Sequence, residues 1–164
     1  MPIGSNIIPI DRPTPIDLTS IGEDGEDFVV VEDETDTRSI ALTELDISKI
    51  QLVTMLKDDE TSITGEEHLK RLKASNYIRL DAKVLQAILK NESLVLELWS
   101  DWREKKVYDK KSFYVFFDGT VLRKLPRGTR CVPDLYCYEG KCYGYYNRLD
   151  LDWYANSLSA VIVH

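Results

Sequence analysis

The chain has 164 residues, of which 43% are hydrophobic and 30% charged, and its net charge is −7. That length and apolar content support one domain with a real core, and no run approaches the roughly 18 apolar residues that a membrane-spanning helix requires. The acidity is uneven, with 15 Asp and Glu against 4 Lys and Arg in the first 60 residues and 13 against 17 in the rest, so no strongly basic stripe of the kind that grips nucleic acid is present.

Residues 1–46 read as an acidic, partly flexible N-terminal arm, because prolines and the Gly22-Glu23-Asp24-Gly25 run separate isolated apolar residues. Within it, Phe28-Val29-Val30-Val31 is a short β-branched run bounded by acids, suited to an edge strand. The start Met1-Pro2-Ile3-Gly4-Ser5-Asn6 lacks the basic residues and apolar run of a secretion signal, and three cysteines is an odd number, so a cytoplasmic setting is expected.

Residues 47–164 read as a folded helix-plus-hairpin domain. The β-branched content of Ile50-Gln51-Leu52-Val53-Thr54-Met55 predicts a strand. Thr64-Gly65-Glu66-Glu67 then has the form of a capping box, and predicts a helix over 65–75 with Leu69 and Leu72 inward and Asn76 as a left-handed stop. Asp81 is placed to cap a second helix over 81–91, whose Val84, Leu85, Ile88 and Leu89 form one apolar stripe. Leu94, Val95, Leu98, Trp99 and Trp102 repeat that spacing and predict a third helix.

Two hairpins follow. Asp118-Gly119 between Phe113-Tyr114-Val115-Phe116-Phe117 and Thr120-Val121-Leu122-Arg123 predicts a two-residue turn, since both residues tolerate positive φ. Glu139-Gly140 predicts a second, with Tyr138 opposite Lys141 and Cys137 opposite Cys142. Side chains alternate faces along a strand, so Cys131, Leu135, Cys137, Cys142, Gly144 and Tyr146 share one face and Tyr136, Tyr138, Tyr143 and Tyr145 the other. A Cys137–Cys142 disulfide is geometrically accessible in that register. Cys131 stands about 20 Å from Cys137 along an extended strand, so the three thiols do not converge on a metal. No metal and no cofactor is expected.

Several segments of the chain resemble a family of small uncharacterised bacterial proteins. Met55-Leu56-Lys57 through Ile63-Thr64-Gly65-Glu66-Glu67 is similar to that family's MLKxxExxIxGEE opening, and Phe116-Phe117-Asp118-Gly119-Thr120-Val121-Leu122-Arg123 and Leu149-Asp150-Leu151-Asp152-Trp153 resemble its later blocks. The resemblance spans roughly residues 47–162. It implies a shared helix-then-hairpin domain and a bacterial source, and no catalytic residue; the family commonly has an aromatic where Cys142 stands, so it implies no general role for that thiol.

The fold expected is α+β: two or three helices packed on a small antiparallel sheet of β-hairpins. The four tyrosines are either core beneath the helices or, if the helices take the cysteine face, an exposed binding surface. The leading functional expectation is a non-enzymatic protein-interaction or structural module, whose partner is another protein rather than a membrane or a nucleic acid. One alternative is a carbohydrate-binding or glycoside-processing site at Asp150, Asp152 and Trp153, with Asp118 and Asp134 in the same neighbourhood. Another is weak nucleic-acid binding through helices 65–91, as a helix-turn-helix carrying Lys70, Arg71, Lys73, Lys83 and Lys90.

Overall fold

The computed structural model describes residues 6–22, 27–105 and 113–163. In chain order their elements are β1 (Ile7–Pro9), β2 (Phe28–Val30), α1 (Thr37–Ile40), β3 (Glu44–Asp46), β4 (Gln51–Val53), β5 (Ser62–Thr64), α2 (Gly65–Lys73), β6 (Tyr77–Arg79), α3 (Ala82–Leu89), α4 (Glu92–Lys105), β7 (Tyr114–Phe116), β8 (Leu122–Lys124), β9 (Thr129–Tyr138), β10 (Lys141–Arg148), β11 (Asp152–Tyr154) and β12 (Ser157–Val163). The class is α+β. The expected small antiparallel sheet is instead one of eight strands, in the order β2-β8-β9-β7-β12-β4, with β10 also on β9 and β6 also on β12. It is mixed, because β12 runs parallel to β7. Four α-helices are described rather than two or three. The additional elements are three- and four-residue segments, too short to carry a readable period.

Each longer helix follows from its local sequence. Thr64 Oγ1 accepts from the Glu67 N–H at 3.1 Å and starts α2. The Glu67 carboxylate does not complete the box, since it accepts from Arg71 Nε at 2.8 Å. The free N–H groups of Gly65 and Glu66 donate to Leu151 O and Leu149 O, so the Leu149-to-Trp153 segment finishes the cap. α2 ends on Ala74 in the right-handed region, and Asn76 does not adopt positive φ. Asp81 caps α3 by accepting from Lys83 N–H, and Val84, Leu85 and Ile88 are buried. Asn91 Oδ1 accepts from Leu94 N–H at 3.1 Å ahead of α4, whose Val95, Leu98, Trp99 and Trp102 join the same core.

The described part of the acidic segment 1–46, expected as a partly flexible arm, is threaded through the domain. β1 pairs with β3, β2 pairs with β8, and Ile10, Ile21 and Phe28 are buried. Arg12 Nη1 reaches Asp81 at 2.8 Å, which ties this segment to the start of α3.

The first expected hairpin does not form. β7 and β8 both pair with β9 on the edge away from β10, Phe116 opposite Asp134 and Leu122 opposite Cys131. They are therefore two parts of one strand, interrupted by an excursion over residues 118–121. Gly119 sits in that excursion without positive φ. Its N–H donates to Leu80 O and its carbonyl accepts from Asp36 N–H, both at 2.9 Å. A Cβ there would lie 2.2 Å from Arg79 O, so the position requires glycine for close approach and not for positive φ. The chain reverses later, at residues 125–128, where Lys124 pairs with Thr129 and Gly128 takes φ +76°; the Leu125–Pro126 bond is cis.

Candidate functional site

The second hairpin has the expected register: Tyr138 opposite Lys141, Cys137 opposite Cys142 and Tyr136 opposite Tyr143. Glu139 and Gly140 both have positive φ, 49° and 78°, as a two-residue primed turn demands. Cys137 and Cys142 are joined in a disulfide. Cys131 is buried in a separate cluster with Ile21, Phe28 and Leu122.

The faces of this hairpin go to different surroundings. Leu135, Cys137 and Cys142 pack into the core with Val84, Leu85 and Ile88 of α3 and Trp99 of α4. The helices thus take the cysteine face, because the continuous apolar stripes of α3 and α4 need an apolar floor and the tyrosine hydroxyls would be left without partners in it. On the other face Tyr138 is 57% exposed, Tyr143 50% and Tyr145 40%. Tyr136 is half-buried and stacks between Tyr114 at 5.3 Å and Tyr138 at 6.3 Å, measured between ring centroids.

Register places a carboxyl among these rings. Phe116 of β7, Asp134 of β9 and Tyr145 of β10 are cross-strand neighbours on one row, and Tyr114, Tyr136 and Tyr143 form the next row on the same face. Asp134 is 3% exposed, and its Oδ1 accepts no hydrogen bond. Burial alone pushes its pKa up to about 7. Tyr114 is shifted upward too, by burial first and then by the nearby Tyr136 and Asp134. Tyr114 and Phe116 are not among the expected site residues, and Asp134 is expected beside Asp150 and Asp152 rather than among the tyrosines; the signal for its place is a single acid at the tyrosine-face parity of an otherwise apolar and aromatic strand.

The expected constellation of Asp150, Asp152 and Trp153 does not assemble a site. Trp153 is 1% exposed, stacks on Phe116 at 4.1 Å and donates Nε1–H to Arg148 O, so it is core and presents no ring to a sugar. Asp150 is exposed and paired with Arg148 through two hydrogen bonds of 2.9 and 2.6 Å, which lower its pKa. Asp152 lies exposed on β11 against Thr64. Asp118 and Asp134, expected nearby, are both buried in other surroundings.

Asp118 belongs to a polar junction where the C-terminal ends of β6 and β7 meet above β12. Ser159 donates to its Oδ2 at 2.6 Å, Arg79 Nη1 donates to its carbonyl at 2.6 Å, and Asp36 accepts from Arg79 N–H at 2.9 Å. Burial raises the Asp118 pKa to about 6 against the opposing pull of Ser159 and Arg79. The junction is closed to solvent and its groups mostly serve one another, which makes it an internal clamp between residues 36, 79 and 118 rather than a binding site.

The basic residues of the expected helix-turn-helix are dispersed. β6 lies between α2 and α3 and pairs with β12, so the two helices are not joined by a tight turn. Arg71 is held by Glu60 and Glu67 and Lys73 by Glu34. Lys83 and Lys90 line a separate groove with Ile8 and Ile10.

No family model, curated protein or solved structure matches this chain. The segments around residues 63–68, 116 and 149–153 meet in space. Gly65 packs so closely on Trp153 and Leu149 that a Cβ would fall 2.7 Å from the indole; Ile63 pairs with Trp153 across β5 and β11; Phe116 stacks on Trp153. His68 also lies against Trp153, 5.1 Å between centroids, and burial lowers its pKa to about 4. These blocks are thus accounted for by packing. Among the described residues no group of three metal-ligating side chains gathers, and no helix is long and apolar enough to cross a membrane.

Proposed function

We propose that this chain is a non-enzymatic interaction module of a bacterial cytoplasm, which docks another protein on the face bearing Tyr136, Tyr138, Tyr143 and Tyr145. The observation that carries the reading is the exposure of three of these rings on a hairpin whose other face is anchored in the core. Tyrosine presents rigid apolar area with a polar tip at small entropic cost, which suits recognition better than chemistry. The resemblance to bacterial proteins with no known activity agrees with it. A second copy of the chain is a poor occupant for the β10 edge, because antiparallel self-pairing about its centre sets Lys141 against Arg148.

Capture from the native host with the wild type and with a Tyr138→Ser/Tyr143→Ser/Tyr145→Ser variant tests this. The expected result is a set of proteins held by the wild type and lost by a variant of unchanged melting temperature. Identical captured sets would count decisively against the tyrosine face.

A further inference from the structure

The tyrosine face is not uniformly apolar, and the exception lies at its centre. Asp134 has Phe116 on one side and Tyr145 on the other, and Tyr136 follows it on the same face of β9. It is an acid without a hydrogen bond on Oδ1, with aromatic residues at the neighbouring register positions. Among the described residues no basic side chain is paired with it, whereas Asp81 has Arg12, Asp36 has Arg38 and Arg79, and Asp118, which also lacks a partner on Oδ1, has Ser159 on Oδ2.

A carboxyl flanked by aromatic residues favours one kind of visitor. Anions are repelled by both components, and a neutral apolar group leaves the carboxyl as unsatisfied as before. An organic cation gains from both at once, through a charge-assisted hydrogen bond to the carboxylate and through cation–π contact with the rings. A guanidinium fits best, since its plane stacks on tyrosine while its edge donates two hydrogen bonds. The net charge of −7 adds attraction for a basic partner.

We infer that the tyrosine face receives a basic side chain of a partner protein, foremost an arginine, with Asp134 as the counter-ion and Tyr114, Tyr136 and Tyr145 as the stacking surface. The inference rests on the interaction reading above and specifies what that surface selects. Asp134 is buried, so the guanidinium reaches it by displacing neighbouring side chains, and its register neighbour Tyr145 is exposed and has room to turn aside.

The test uses a short fluorescent peptide of alternating threonine and arginine, and the same peptide with glutamate in place of arginine, titrated with the full chain at physiological salt. The arginine peptide is expected to bind and the glutamate peptide not. Asp134→Asn should weaken binding by about tenfold or more, the loss expected when a charge-assisted bond is removed. Tyr143→Ser/Tyr145→Ser should weaken it comparably, and Asp150→Asn, which removes an equal charge elsewhere on the surface, by less than about twofold. Equal losses from Asp134→Asn and Asp150→Asn would reduce the effect to diffuse attraction and overturn the inference, as would no binding of the arginine peptide. Should Asp134→Asn fail to fold, the double tyrosine variant against Asp150→Asn decides the question alone. In host capture, partners kept by Asp134→Asn but lost by the triple tyrosine variant would sink the cation inference and leave the interaction reading standing. Partners lost by neither would sink both.

Discussion

Asp118-Gly119 and Glu139-Gly140 have the same local form, an acid followed by glycine between strand-forming residues, and they end in opposite environments. Glu139-Gly140 is a solvent-facing turn, and a Cβ on Gly140 would meet nothing within 4 Å. Asp118-Gly119 is wedged between the chain at Asp36 and the chain at Leu80, in a tight turn that joins no hairpin. A dipeptide fixes which backbone angles are cheap; the flanks decide whether they are used. Around 139–140 the strands alternate between faces, so pairing them back to back buries one face and frees the other. Around 118–119 Phe113 to Phe117 offers no polar face, and a two-stranded hairpin would leave half of it in water. The strand is placed instead between β9 and β12.

The largest test of that contrast is Gly119→Ala. The new methyl group meets backbone at 2.2 and 2.7 Å, and backbone cannot rotate out of the way as a side chain does. Overpacking together with loss of the Leu80 and Asp36 hydrogen bonds should cost about 4 kcal/mol, read from chemical denaturation. A loss under about 1 kcal/mol would mean that the junction is plastic and the contrast false.

The same contrast shows what was legible before the structure. The three longer helices and the register of the second hairpin follow from caps, stripes and parity, all of which act within a few residues. The clamp of Asp36, Arg79 and Asp118 spans three distant segments and leaves no local period. The turn at residues 125–128 has Pro126 and Gly128 as its local marks, which the Asp-Gly reading passes over. The sequence groups Trp153 with Asp150 and Asp152 beside it, whereas Gly65, nearly 90 residues earlier, makes the space that buries it. Asp134 was visible by parity, but its lack of a partner depends on β7 lying beside it.

The two faces of the second hairpin supply the next tests. Asp134 has a folded pKa of about 7, well above the 3.8 of an ordinary aspartate, because burial disfavours its charge. The folded chain therefore holds a proton that the unfolded chain releases, so this group's contribution is present at low pH and is lost as pH rises through about 7. Asp134→Asn should gain on the wild type by roughly 3 kcal/mol between mildly acidic and mildly alkaline pH, measured as the difference between their denaturation curves. A difference independent of pH would show the carboxyl to be solvated. On the opposite face, reducing Cys137–Cys142 opens a loop of only five residues' separation, so stability should fall by at most about 2 kcal/mol. The cross-strand contacts of Tyr136 and Tyr143 should persist in nuclear Overhauser spectra, because the turn and the helix-packed face set the register without the sulfurs. Their disappearance would make the disulfide the organiser of the tyrosine face.

The smallest effect is expected at Gly140, and its pattern is more informative than its size. Alanine there meets no atom but must adopt φ near +78°, a strain of about 1 kcal/mol. Asparagine tolerates that region, so Gly140→Asn should cost less than Gly140→Ala. At Gly119 the order should reverse, because the obstacle is volume and the larger asparagine collides more severely than alanine. Melting temperatures of the four variants would show whether the two acid-glycine pairs answer to different forces. If asparagine were the better substitute at both positions, Gly119 would be governed by backbone angle after all, and the hairpin expected from its sequence would be the sounder description.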